Sequence, residues 1–208
     1  MIGIVDYGVG NLYSLTCSLR NVGEDAVVTR EEAILREVDR IILPGVGAFA
    51  DARERLRILR LDSLLQSMAA QGKPLLGICL GMQLLFSRSF EYGEHEGLGL
   101  ISGEIRSLQE ALSAEAKVPH MGWNGLCFKE KENPLLKGVE AGDFVYYVHS
   151  YYATECEEAL VAWAEYGNVR VPGVVQRKNV FGTQFHPEKS GEVGLRMLAN
   201  FGKEVAFC

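Results

Sequence analysis

Three short stretches of this chain, Ile2 to Asp6, Asp39 to Leu43 and Pro74 to Ile78, each contain an unbroken run of three or more residues without a polar side chain. A strand with one wet face alternates between apolar and polar residues. A strand with no alternation has to be buried on both faces, which calls for helices on either side of a sheet. Helical periodicity is present over Leu12 to Val22 and from Ala48 to Ala70, and Ala26 to Thr29 reads as a further strand. This alternation predicts an α/β fold on a mostly parallel, doubly wound sheet.

The second half has a different pattern. Glu104 to Ser107, Gly125 to Phe128, Phe144 to Tyr152, Leu160 to Ala164, Gly173 to Arg177 and Val180 to Phe185 are strand-like and separated by turns. Added antiparallel strands are therefore expected. Glu192 to Phe201 is expected to close the chain as a helix. No repeat, low-complexity tract or linker interrupts the 208 residues, which predicts one domain over 1-208.

Charge and composition exclude several functions. With 21 Lys and Arg against 27 Asp and Glu the formal net charge is -6, and no basic run could neutralise several phosphates, so nucleic acid is not an expected partner. The N-terminus opens on a strand and no stretch approaches the length of a membrane span; no membrane association and a cytoplasmic location are expected. Cys17, Cys79, Cys127, Cys156 and Cys208 are scattered without CxxC spacing. Neither a disulfide framework nor a metal site is expected, and no cofactor.

Cys79 stands apart from the other four. In Gly77-Ile78-Cys79-Leu80-Gly81 it sits between glycines where the Pro74 to Ile78 strand meets the helical pattern of Leu80 to Ser87. Glycines permit a sharp turn that pushes the middle side chain out of the sheet, and the helix start favours a thiolate and an oxyanion. The plain alternative is a tight turn around a buried cysteine. A nucleophile also needs a base. Among His95, His120, His149 and His186, only His186 precedes a Pro-Glu pair, so Glu188 can accept an imidazole N–H and fix its tautomer. His149 lies in an aromatic strand, where a hydrogen-bonded structural histidine is expected.

The elbow and the His-Pro-Glu together resemble the class I (triad) glutamine amidotransferase family, and within it the glutaminase subunits that feed a separate cyclase chain in histidine biosynthesis. The narrower likeness is carried by Val5-Asp6-Tyr7-Gly8-Val9-Gly10-Asn11-Leu12, by Leu43 to Phe49, by Pro119 to Asn124, and by Lys189-Ser190 after the His-Pro-Glu. The resemblance implies a Cys79, His186 and Glu188 triad acting on glutamine through a glutamyl thioester. It implies an oxyanion hole from Leu80, Val46 and Gly47, and glutamine held by Gly45, Gln83, Glu91, Ser150 and Tyr151. Ser87 to Glu96 is polar, however, and a carboxylate there ordinarily stays solvated. It further implies a heterodimer with a (β/α)8-barrel cyclase, contacted by Asn11, Met121, Trp123 and Lys189. A thiol hydrolase of peptides or γ-glutamyl compounds, a different amidotransferase subunit, and an inactive binding module are the competing classes.

Overall fold

The computed structural model describes residues 1–113 and 116–205. Cys208 lies outside the described residues. The first half runs β1 (Ile2–Val5), α1 (Leu12–Asn21), β2 (Ala26–Thr29), α2 (Glu32–Glu37), β3 (Arg40–Leu43), α3 (Phe49–Ile58), α4 (Leu61–Ala70), β4 (Leu75–Ile78), α5 (Leu80–Leu84), β5 (Phe86–Ser89) and β6 (His95–Glu96). Then come β7 (Ile101–Ser107), α6 (Leu108–Ala111), β8 (His120–Gly125), β9 (Cys127–Phe128), β10 (Phe144–His149), β11 (Tyr151–Thr154), β12 (Leu160–Tyr166), β13 (Val169–Arg177), β14 (Val180–Thr183) and α7 (Gly191–Lys203).

The main sheet has eight strands in the order β2-β1-β3-β4-β14-β13-β12-β9. The strands from β2 through β14 in that order are parallel, and β13, β12 and β9 extend the sheet antiparallel. The expected mostly parallel sheet with antiparallel additions is thus what forms. Its apolar strands are buried on both faces. Ile2 and Ile4 of β1, with Leu76 and Ile78 of β4, pack in a cluster with Leu198 and Phe201 of α7, while Val5 and Leu75 pack on the other side with Leu64, Leu65 and Met68 of α4. The buried residues of α4 follow the i, i+3, i+4, i+7 spacing of a helix with one apolar face: Leu61, Leu64, Leu65, Met68 and Ala69. Each large side chain so buried contributes about 1.5–3 kcal/mol.

Two smaller sheets cap the carboxyl ends of the parallel strands near the elbow. One pairs β10 with β8, and the other runs β11-β7-β5-β6. Here the structure corrects several boundaries. The helical stretch from Ala48 to Ala70 is two helices, broken where Arg60 takes a left-handed conformation (φ 57°). The helix after the elbow stops at Leu84, short of Ser87, because Phe86 enters β5 and pairs with Ile101. Phe144 to Tyr152 is not one strand: β10 ends at His149, and after Ser150 the chain crosses to a different sheet as β11. Gly125 to Phe128 is likewise shared between β8 and β9. Among the described residues no helix is long and apolar enough to cross a membrane.

Candidate active site

Cys79 lies between β4 and α5 with φ 54° and ψ −111°, a strained conformation for a residue with a side chain. The turn is accommodated because Gly77 and Gly81, two residues to either side, lack Cβ atoms. A Cβ on Gly81 would lie 1.9 Å from the Leu43 carbonyl oxygen, and one on Gly77 would lie 2.6 Å from the Gly81 carbonyl oxygen. The elbow is therefore wedged against β3, with the Cys79 amide donating to Thr183 O of β14 at 2.7 Å.

His186 follows β14 and is anchored through its backbone. Its amide donates to Tyr146 O (3.0 Å), and Ser190 Oγ donates to its carbonyl (2.6 Å). Its Nδ1 stands 2.9 Å from Glu188 Oε1, with both side chains almost fully buried. Because a carboxylate can only accept, Nδ1 carries the hydrogen and Nε2 is left for the thiol. Burial opposes a charge on the ring, but hydrogen bonds with Cys79 and Glu188 outweigh it and push the imidazole up to about 10.

A cavity of about 400 Å³ opens over the thiol. Of the residues expected from the sequence, Cys79, His186, Leu80, Val46, Gly47, Gln83, Glu91, Ser150, Tyr151 and Lys189 all line it. Glu188 stands behind His186 rather than in the cavity. Gly45 also lies outside it: a Cβ there would meet Gly81 N at 2.7 Å and the Tyr7 hydroxyl at 2.9 Å, so Gly45 packs against the back of the elbow. Tyr7 donates to Pro44 O at 2.7 Å, which fixes the start of the Gly45 to Gly47 loop. Pro119, Val148 and His149 line the cavity too and are absent from the expected set. Val148 and His149 end β10 and Pro119 immediately precedes β8, so the missing information was the pairing of β8 with β10.

Glu91 is buried, not solvated, and accepts the Phe49 amide at 2.7 Å. Burial raises its pKa. A carboxylate that has lost its water in this way suits an ammonium group. Gln83 Nε2 donates both hydrogens, to Tyr151 O (2.9 Å) and Gln184 Oε1 (3.1 Å), which leaves its own Oε1 free to accept.

The two remaining histidines of this region form a pair. His149 donates from Nδ1 to Tyr151 O (2.9 Å), so its Nε2 accepts from His120 Nδ1 (3.0 Å), and His120 Nε2 accepts from Asn124 Nδ2 (3.3 Å). Burial holds both rings neutral, pushing His120 down to about 4 and His149, which also faces His120, down to about 3. Among the described residues no group of three or more His, Cys, Asp or Glu could hold a metal ion.

The expected partner residues fall in three settings. Met121 and Trp123 of β8 are exposed, at 64% and 54%. Lys189 is exposed with its ammonium 5.9 Å from the Tyr146 ring centre. Asn11 is half-buried, caps α1 by accepting the Ser14 amide (3.3 Å), and lines a small cleft with Gly45, His186 and Glu188.

The fold and cavity define an α/β protein with a thiol raised on a strand-to-helix elbow beside an oriented imidazole. The model of the family described as Glutamine amidotransferase class-I matches residues 3–205, and the chain belongs to that family. It is 51% identical to the imidazole glycerol phosphate synthase subunit HisH of Bacillus subtilis strain 168, over 99% of this chain and 97% of that protein. It is also 51% identical to the subunit of the same name from Bacillus cytotoxicus, over 97% of this chain and 93% of that protein. A solved structure described as PurLQS from Thermotoga maritima superposes with a TM-score of 0.73 at 19% identity, over 99% of this chain and 98% of that one, a likeness of fold.

Proposed function

We propose that this chain is the glutaminase subunit of imidazole glycerol phosphate synthase, acting as one domain with Cys79, His186 and Glu188 as its catalytic triad. The observation that carries the reading is the buried His186 ring, held through Nδ1 by Glu188 at 2.9 Å and lining the same cavity as the thiol of the elbow. Cys79 attacks the side-chain amide carbon of glutamine after passing its proton to His186. The amide oxygen becomes an oxyanion, received by the Leu80 amide and the Val46 to Gly47 peptide. His186 then protonates the leaving nitrogen, ammonia departs, and water cleaves the glutamyl thioester to glutamate, regenerating the thiol. Glu91 and Gln83 suit the substrate's ammonium group, and Ser150 and Tyr151 its carboxylate.

Ammonia released into water becomes ammonium, which is not nucleophilic, so it needs a shielded route to a second active site. A separate (β/α)8-barrel cyclase docked beside the cavity, on Met121, Trp123 and Lys189 with Asn11 nearby, supplies that route. A heterodimer of this kind fits a cytoplasmic biosynthetic enzyme. Glutaminase activity is then expected to be low alone and to rise in turnover when cyclase and its ligand are present, with the Gly45 to Gly47 loop as the element that rearranges.

The test is a glutamine hydrolysis assay on wild type and Cys79→Ser, with and without the cyclase. Cys79→Ser should lose nearly all hydrolysis, while synthesis driven by free ammonium salt continues. Release of glutamate from peptides but not from free glutamine would replace this reading with a thiol hydrolase.

A further inference from the structure

Gln184, between β14 and His186, is fully buried, and the roles above leave it unused. Its orientation follows from one carbonyl. Tyr151 O can only accept, so Gln83 must turn its amide nitrogen toward it (2.9 Å). The second hydrogen on that nitrogen points at Gln184, which must present Oε1 (3.1 Å). The Gln184 nitrogen is thereby turned to Cys79 Sγ, 3.8 Å away. The same Tyr151 carbonyl accepts from His149 Nδ1 (2.9 Å), so it is held from two sides.

The sulfur meets a second, opposite contact. Val148 O lies 3.9 Å away and can only accept, which suits a thiol S–H and repels a thiolate. An amide N–H does the reverse: its bond strengthens when sulfur becomes an anion, the more so in a buried site.

We propose that Gln184 is a catalytic residue that donates its amide N–H to the Cys79 thiolate, with Gln83 and the Tyr151 carbonyl fixing its orientation. The inference rests on Cys79 being the nucleophile. It explains why a neutral amide is buried beside a thiol and pinned through a second amide, when an apolar side chain would fill the same space at lower cost.

The test follows alkylation of Cys79 by iodoacetamide in the full chain between about pH 5 and 9, read by mass spectrometry on the peptide that contains it, because Cys17 is exposed and also reacts. Wild type, Gln184→Glu and Gln184→Met are compared, with near-ultraviolet circular dichroism confirming native packing. Glu keeps the shape and still accepts from Gln83, but when ionised it cannot donate; Met keeps the volume and can do neither. The other groups that face the sulfur or its base, His186, Glu188, Tyr7, His149, Glu91 and Lys189, are the same in all three. In both variants Cys79 alkylation at neutral pH should fall about tenfold, the loss of one charge-assisted hydrogen bond, and the midpoint of the coupled Cys79–His186 titration should move. Turnover on glutamine should fall by a similar factor with KM within about twofold.

Wild-type alkylation in both variants would make Gln184 a packing residue and overturn the proposal. A fall in Gln184→Glu alone would also overturn it, since repulsion by the new carboxylate would account for that. If alkylation falls in both variants but wild type with its cyclase does not hydrolyse glutamine, the donor stands and the glutaminase reading fails.

Discussion

Glu188 holds His186 with one carboxylate oxygen, Oε1 at 2.9 Å from Nδ1, while the other, Oε2, is buried without a partner among the described residues. A half-satisfied buried carboxylate costs stability, and its one bond does nothing for packing that an apolar residue could not do better. Orientation of the imidazole is what the arrangement provides. Glu188→Gln can still accept from Nδ1 through its amide oxygen, but it stabilises the imidazolium less and can turn its nitrogen toward the ring. Turnover on glutamine should fall by about a hundredfold or more with little change in KM, because the glutamine pocket is untouched. Steady-state kinetics with the cyclase present would check it, and an unchanged turnover number would reduce Glu188 to a cap on the turn before α7.

The glycines of the elbow make a steric prediction. In Gly81→Ala the new Cβ would lie 1.9 Å from Leu43 O, a backbone atom of β3 that cannot swing aside as a side chain would. The variant should lose about 3 kcal/mol or more, or fail to fold. Gly23→Ala is the control, with φ +79° and nothing within 4 Å of its Cβ. Only backbone strain applies there, about 1 kcal/mol. Urea unfolding midpoints separate the two cases: Gly81 lies inside α5 without a positive φ, so a loss no larger than that of Gly23→Ala would show that β3 yields to the new Cβ and that the contact does not explain the motif.

The neutral pair His120 and His149 should make the protein labile to acid. Both folded-state values, about 4 and about 3, lie below the ordinary 6.5, so the unfolded chain takes up protons that the folded chain refuses. Their contribution is complete above 6.5 and is lost as the pH falls toward those values. At about pH 5 each should have cost about 2 kcal/mol, a large share of the 5–15 kcal/mol that holds a typical domain. His186 works in the other sense: raised to about 10, it stabilises the fold below the ordinary range and loses that contribution only as pH rises toward 10. Urea midpoints at pH 7 and 5 should show the loss, and His120→Gln should remove about half of it. A variant with the full wild-type pH dependence would place the lability elsewhere.

Much of this molecule was legible because the burial of its first half is written into local pattern. Ala26 to Thr29 is a strand with the bounds expected, and the unbroken apolar runs Ile2 to Val5, Ile41 to Leu43 and Leu75 to Ile78 lie in parallel strands buried on both faces. The elbow was legible for a steric reason, since only glycine fits where Gly77 and Gly81 press on backbone. The capping sheets were not. Nothing local marks Arg60 as the break between two helices, for it is an exposed residue, neither Gly nor Pro, that nevertheless takes a left-handed conformation. Tyr146 to Tyr152 is rich in aromatic residues on both sides of Ser150, so the change of sheet there leaves little mark on the pattern. Glu91 follows the same logic: a polar stretch suggests solvent, but the side chain is buried and accepts the Phe49 amide, a partner distant in sequence. Gln184 was hidden by its setting, a polar residue just past a strand end whose partners are distant in sequence.

Trp123 gives the last prediction. Its ring is 54% exposed on β8, beside Met121 at 64% and Phe144 at 58%. Trp123 stands opposite Tyr146 in the ladder with ring centres 6.0 Å apart, and the Lys189 ammonium lies 5.9 Å from the same Tyr146 ring. This row runs from the open face of the small sheet to the residue next to Glu188, and β10, which carries Tyr146, also brings Val148 and His149 to the cavity. A tryptophan left this far in water contributes little to its own fold, so Trp123→Ala should change stability by only about 0.5 kcal/mol. At an interface core the same side chain is worth about 2 kcal/mol or more, so affinity for the cyclase should fall about thirtyfold. If the row instead transmits docking to the cavity, affinity will hold and the rise in glutamine turnover on adding cyclase and its ligand will shrink. Titration calorimetry and glutaminase assays on the same preparation distinguish these two outcomes. Wild-type values in both would remove Trp123 from the docking surface.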